Sequence, residues 1–290
     1  MELEWRWPKA ATAFVALSIT LLALPLGAWA ETPLERGTYL MRGIVACGNC
    51  HTPKDATGRP IADRELAGGF VINEPPFRAV ASNITPDRET GIGGWTDQEI
   101  ITAIRDGRRP DGRILGPPMP FEEYRHMSDR DAMAIVAYLR SLKPIVNKVA
   151  ASEYRFPLPP TYGPTVTRVV APPAGNTVAY GAYLSAIGHC MDCHTPRDQG
   201  RPLRDKLGAG GFGITAPMGG VIMTANLTPA NRDGIAGWTD AQVAHAIRYG
   251  ERPDGGKLVP LMAFDWYRTI NDRDMAALIT YLRSLRPATP

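Results

Sequence analysis

The sequence predicts a mainly α-helical protein made of two tandem domains with long irregular loops. Three observations carry this reading. One stretch of sequence is written twice at an offset of 143 residues. Capped helical segments recur at matched positions in both copies. The four cysteines form two motifs of identical spacing, one per copy, beside Gly/Pro-rich stretches that need something to fold around.

Composition bounds the classes of function. Of 290 residues, 44% are hydrophobic and 21% charged, enough apolar material for real cores and too much for wholesale disorder. Lys plus Arg is 32 and Asp plus Glu 29, a net charge of +3, which excludes a strongly basic nucleic-acid binder. Proline numbers 27, well above average usage, so much of the chain must be loop.

The chain opens with a short polar stretch holding Arg6 and Lys9, followed by an apolar run from Ala10 to Leu24. Pro25 and Gly27 break any helix, and Ala28-Trp29-Ala30 has the small-x-small form of a cleavage site. Residues 1–30 therefore read as a secretory signal peptide, with a retained membrane anchor as the alternative.

The repeat follows. Asn83 to Pro144 aligns without a gap to Asn226 to Pro287, and 33 of the 62 positions are identical, which excludes chance and marks duplication of a whole domain. The expected division is residues 31–146, a Pro-rich linker at 147–176, and residues 177–290. Each copy should open with a helix, Pro33 to Ala46 or Val178 to His189. A second helix should start after Trp95 or Trp238, where Thr96 with Glu99 and Thr239 with Gln242 form capping boxes. Gly107 and Gly250 should stop it. The last helix should begin at Ser128 or Asn271, both good N-caps, and end before Pro144 or Pro287. The repeated Asp129-Arg130-Asp131 and Asp272-Arg273-Asp274 read as first-turn acids facing the helix dipole. No convincing run of alternating strands is visible.

Cys47-Gly48-Asn49-Cys50-His51 and Cys190-Met191-Asp192-Cys193-His194 are both C-x-x-C-H and consume every cysteine of the chain. This is the attachment signature of c-type haem. Two thiols three residues apart on one turn reach the two vinyl groups, and the adjacent histidine lies beneath the porphyrin. A zinc site would need further ligands, and none recurs. A thioredoxin-like motif would need a strand–helix setting. Each site should therefore carry one covalent haem c, held by Cys47 and Cys50 or by Cys190 and Cys193, with His51 or His194 on the iron.

The repeat also filters for the other axial ligand. Of the ten methionines, only Met119 and Met262 match at the offset, and both lie in irregular proline-bearing loops. No histidine outside the two motifs has a histidine partner. His/Met ligation raises a haem's potential and leaves no open position for substrate chemistry.

With Gly37, Tyr39, His51-Thr52-Pro53, Asn83-Ile84-Thr85-Pro86, Gly91-Ile92-Gly93-Gly94-Trp95, Arg109-Pro110-Asp111-Gly112, Met119-Pro120 and Tyr138-Leu139, the chain resembles bacterial dihaem cytochromes c built from two class I-like cytochrome c domains. It is especially similar to cytochrome c subunits of periplasmic alcohol, aldehyde and sugar-acid dehydrogenases. Those subunits often carry three haem domains, and this chain has two motifs. The resemblance implies a periplasmic, free or membrane-associated electron carrier rather than an enzyme. Its donor would be a periplasmic or membrane-bound dehydrogenase and its acceptor a cytochrome or terminal oxidase. It further implies a crossing of first and last helices at Gly37 or Gly181, with Tyr138 or Tyr281 packed there. A peroxidase-like dihaem enzyme with one displaceable axial ligand is the alternative.

Overall fold

Capping chemistry sets the helices. The structure is a computed structural model that describes residues 1–2, 31–215, 220–230 and 234–289. The leader expected over residues 1–30 lies, beyond Met1 and Glu2, outside the described residues. Helix α1 (Pro33–Arg42) starts at Thr32, whose hydroxyl accepts from the Glu35 amide while the Glu35 carboxylate accepts from the Thr32 amide at 2.8 Å. Two short turns follow in the first copy, α2 (Gly48–His51) and later α4 (Phe121–Tyr124), with α3 (Asp97–Asp106) between them. Helix α5 (Asp129–Ser141) closes that copy. The second copy repeats the succession: α6 (Val178–Ile187), α7 (Cys190–Cys193), α8 (Asp240–Tyr249), α9 (Phe264–Tyr267) and α10 (Asp272–Ser284). The capping boxes at Thr96 and Thr239, the N-caps Ser128 and Asn271, and the left-handed stops Gly107 and Gly250 stand where the sequence puts them. The opening helices are shorter than expected, because Gly43 and Gly188 end them before the cysteine motifs.

In each copy the first and last helices cross at a glycine. A Cβ on Gly37 would fall 1.9 Å from the Ala134 carbonyl oxygen, and one on Gly181 would fall 1.9 Å from that of Ala277. Only the missing side chain permits this approach. Tyr138 and Tyr281 flank the two crossings. Leu40, Ile135, Val136 and Leu139 are buried around the first, and Leu184, Leu278 and Leu282 around the second. Each such side chain contributes about 1.5–3 kcal/mol by leaving water.

The long loops are not featureless. Strand β1 (Val71–Glu74) pairs antiparallel with β2 (Phe77–Val80), and the linker adds β3 (Glu153–Tyr154) to β2. The second copy has β4 (Arg197–Asp198) paired with β5 (Arg201–Pro202), and β6 (Gly213–Thr215) with β7 (Val221–Met223). These strands have four residues or fewer, too short for alternation to stand out from loop sequence.

The Asn-x-Thr-Pro motifs tie off the last helices. Asn83 donates to the Ile145 carbonyl at 2.8 Å, and the Thr85 hydroxyl accepts from the Ile145 amide. Asn226 and Thr228 hold Ala288 in the same way. Beyond Ile145 the linker runs back over its own copy. Tyr154 and Tyr162 donate to the carbonyls of Pro117 and Leu115, beside Met119.

Glu31–Pro290 forms one compact unit with a continuous core drawn from both copies. Buried Ile44, Tyr124 and Met127 belong to the same cluster as Ile187, Tyr267 and Met275. No helix among the described residues is long and apolar enough to cross a membrane.

Candidate functional site

Each cysteine pair rides on one helical turn. Cys47 caps α2 and Cys50 lies within it, while Cys190 and Cys193 begin and end α7. The i, i+3 spacing puts both thiols of a pair on one face. All four are free, so no disulfide competes for them. Burial pushes the Cys47 and Cys193 thiols up to about 12 and Cys190 to about 11. Among the described residues no group of three or more His, Cys, Asp or Glu is placed to hold a metal ion by itself.

The two histidines are oriented by backbone carbonyls. His51 Nδ1 lies 2.8 Å from the Ser82 oxygen and His194 Nδ1 lies 2.7 Å from the Ala225 oxygen. A carbonyl only accepts, so each Nδ1 carries the proton and each Nε2 keeps its lone pair. Burial pushes both imidazoles below their usual range, which holds them neutral and ready to ligate. The flanking sequence explains the rigidity. Thr52 and Thr195 accept from the amides of Leu66 and Gly208, and Gly68 and Gly210 donate to the carbonyls of His51 and His194. Both glycines have positive φ, and a Cβ there would strike the backbone just beyond β2 or β7, at Ala81–Asn83 or Thr224–Ala225, at 2.5–2.6 Å. The residues therefore fit a c-type haem in both copies: paired thiols to bond it and a pre-oriented imidazole to ligate it.

Met119 and Met262 are half-buried against the core cluster, each just before a short helix, α4 or α9. Their carbonyls accept from the amides of Phe121 and Phe264 two residues on. Trp95 and Trp238 are fixed by their backbones: Arg140 and Arg283 donate to their carbonyls and pair with Asp97 and Asp240 at 3.0 Å. Trp95 also lies under the Arg109 guanidinium, 4.9 Å from its ring centre.

Sequence reasoning missed what joins the copies. Asp131 and Asp274 are buried and serve as more than dipole partners. Arg36 binds Asp131 with two bonds of 2.8 and 3.0 Å, and Tyr183 of the other copy donates to the same carboxylate at 2.5 Å. Reciprocally, Tyr39 donates to Asp274 at 2.8 Å. The short helices α4 and α9 likewise reach the other copy's cysteine turn. Trp266 lies against Gly48, and the Tyr124 ring meets the His189 ring edge-on at 6.1 Å. Tyr124 and Tyr267 do match at the repeat offset, which is the trace these contacts leave in the sequence.

Comparison with known proteins agrees with this chemistry. The family described as cytochrome c oxidase, cbb3-type, subunit III matches residues 32–139. The chain is 30% identical to the cytochrome c subunit of a quinone alcohol dehydrogenase from Gluconobacter oxydans, over 100% of this chain and 62% of that one. It is 31% identical to the gluconate 2-dehydrogenase cytochrome c subunit of Pantoea cypripedii, over 96% of this chain and 65% of that one. It is 29% identical to a diheme cytochrome c-type protein of Cereibacter sphaeroides, over 92% of this chain and 95% of that one. The chain thus spans less than two thirds of the length of the dehydrogenase subunits it resembles.

Proposed function

We propose that the chain, similar to dihaem cytochromes c and to cytochrome c subunits of dehydrogenases, is a haem-binding c-type cytochrome that carries single electrons between a partner dehydrogenase and the respiratory chain through two haems. Cys47 and Cys50 would bond the first haem c, and Cys190 and Cys193 the second. His51 and His194 would ligate the irons from one side, Met119 and Met262 from the other. Bound haem iron supplies a one-electron couple. The protein's part is to hold that couple still, exclude water from its face and leave no coordination position free. The observation that carries the reading is the pair of C-x-x-C-H turns whose histidines both commit Nδ1 to a carbonyl. Residues 1–30 would export the chain to the periplasm. The donor would be a periplasmic or membrane-bound dehydrogenase and the acceptor a cytochrome or terminal oxidase; any substrate oxidation would take place on the dehydrogenase.

Attachment is tested by haem stoichiometry. Protein from an export-competent host should give two haems per chain in a haemochrome assay, and both should survive acid–acetone extraction. One haem per chain, or extractable haem, contradicts the assignment. The Cys190→Ala, Cys193→Ala double variant should retain one.

A further inference from the structure

The two cysteine turns sit in unlike electrostatic surroundings, and the difference comes from across the interface between the copies. Each short helix after the methionine loop lies on the other copy's turn. Helix α9 brings Trp266 onto α2, where a Cβ on Gly48 would fall 2.8 Å from the indole nitrogen. Helix α4 brings Glu123 to α7. Its neighbour Tyr124 packs on His189, and Glu122 reaches Arg204 at 3.7 Å. Glu123 and Trp266 occupy matched positions at the repeat offset, so an indole at one turn is replaced by a carboxylate at the other.

A second mismatch adds to the first. Asn49 within the first motif corresponds to Asp192 within the second. The matched cations are spent differently. Lys54 faces the neutral Asn49 amide at 3.4 Å and lies over the Phe70 ring, while nearby Asp265 is held by Arg268 at 2.7 Å. Arg197 lies over Phe212 but is bonded to the Asp192 carboxylate. Arg204 faces Glu122. Among the described residues Glu123 forms no ion pair within 4 Å; burial and Asp192 push its carboxyl up to about 7, against the opposing pull of Arg204 and Arg197, which are paired with Glu122 and Asp192.

A fixed negative charge stabilises the ferric, more positive state of a neighbouring haem and lowers its potential. We propose that Glu123, acting across the interface, together with Asp192, sets the haem at Cys190 and Cys193 below the haem at Cys47 and Cys50 in reduction potential. One electron then passes downhill inside the chain from the second haem to the first: the second goes from ferrous to ferric as the first goes from ferric to ferrous. The inference rests on the two-haem reading above.

Spectroelectrochemical titration of the holoprotein at pH 8, where Glu123 is ionised, tests it. The wild type should titrate as two one-electron components. Glu123→Gln and Asp192→Asn should each raise the lower component by about three- to tenfold in redox equilibrium, roughly 30–59 mV at 59 mV per tenfold. Neither should move the upper component. Asn49→Asp should lower the upper one, and it keeps the test open if a carboxylate-removing variant does not fold. Met262→His, which replaces a thioether by an imidazole, identifies the components: it should lower the lower one further. Glu123→Gln and Asp192→Asn that move the upper component or neither, or Met262→His that moves the upper one, overturn the inference. A preparation with a single haem per chain overturns instead the two-haem reading beneath it.

Discussion

Single residues decide how much the join between the copies is worth. Asp131 is buried, takes two bonds from Arg36 and one from Tyr183 of the other copy. Truncating it strands a buried guanidinium, which typically costs about 3–5 kcal/mol. Asp131→Ala should therefore lower denaturant stability by that order, while Asp97→Ala, whose bridge to Arg140 is solvent-exposed, should cost under about 1 kcal/mol. Equal losses in the two variants would show that the cross-copy network contributes nothing. Glu123 supplies a pH-dependent term. Its carboxyl, normally near 4.5, titrates near 7 when folded. A carboxyl raised on folding contributes stability that is fully present below its unfolded value and is lost as pH rises through its folded value. Between about pH 4.5 and 7, wild-type protein should lose about 1–2 kcal/mol from this group, allowing for its partial exposure. Denaturation across that window should show a flatter profile for Glu123→Gln, and an unchanged profile would mean that the carboxyl is not desolvated.

At the scale of elements, the two methionine loops are built alike and braced differently. Pro118 and Pro120 flank Met119, where Leu261 and Ala263 flank Met262. Each extra proline whose φ suits the native loop lowers unfolded-state entropy by about 0.4–1 kcal/mol. The linker adds a second brace, since Tyr154 and Tyr162 bond to Pro117 and Leu115 on either side of Gly116. Among the described residues, the matching carbonyls of Leu258 and Pro260 receive no side-chain hydrogen bond. On the proposed ligation, Met262 should accordingly leave its iron before Met119 as pH or denaturant rises. Met119→Ala and Met262→Ala variants, each keeping one native methionine site, report this through the iron–sulfur charge-transfer band. Earlier loss of the band from the Met119 site would contradict the bracing argument. Helix ends were legible in the sequence at this scale because caps are local: Thr96 with Glu99 and Ser128 name their own hydrogen bonds. The hairpin β1–β2 was not, because four residues a side joined through Pro75 and Pro76 carry no readable period.

Over the whole molecule, duplication makes the proposed haem-binding residues stand out and hides the asymmetry. Matching positions 143 apart isolates the thiols, the histidines and the methionines, because whatever both sites need recurs. The same filter discards Glu123 and Trp266, which differ between copies, and it cannot show that each lies on the other copy's cysteine turn. Such contacts join residues far apart in sequence, as Tyr39 and Asp274 do over 235 positions. They follow from how the copies pack into one core rather than from any local pattern. The glycine crossings at Gly37 and Gly181 fall between these cases: implied by resemblance to class I-like domains, then explained by a 1.9 Å approach that no side chain survives.

The central claim is that both irons are filled on both sides and pass electrons without binding substrate. The ferric spectrum of the two-haem protein at neutral pH, by low-temperature electron paramagnetic resonance with the optical iron–sulfur band, tests it most directly. Two low-spin haems, each with a histidine and a methionine on iron and neither binding added cyanide or peroxide readily, is the predicted result. A high-spin signal from either haem in the native protein would contradict it and favour a peroxidase-like enzyme.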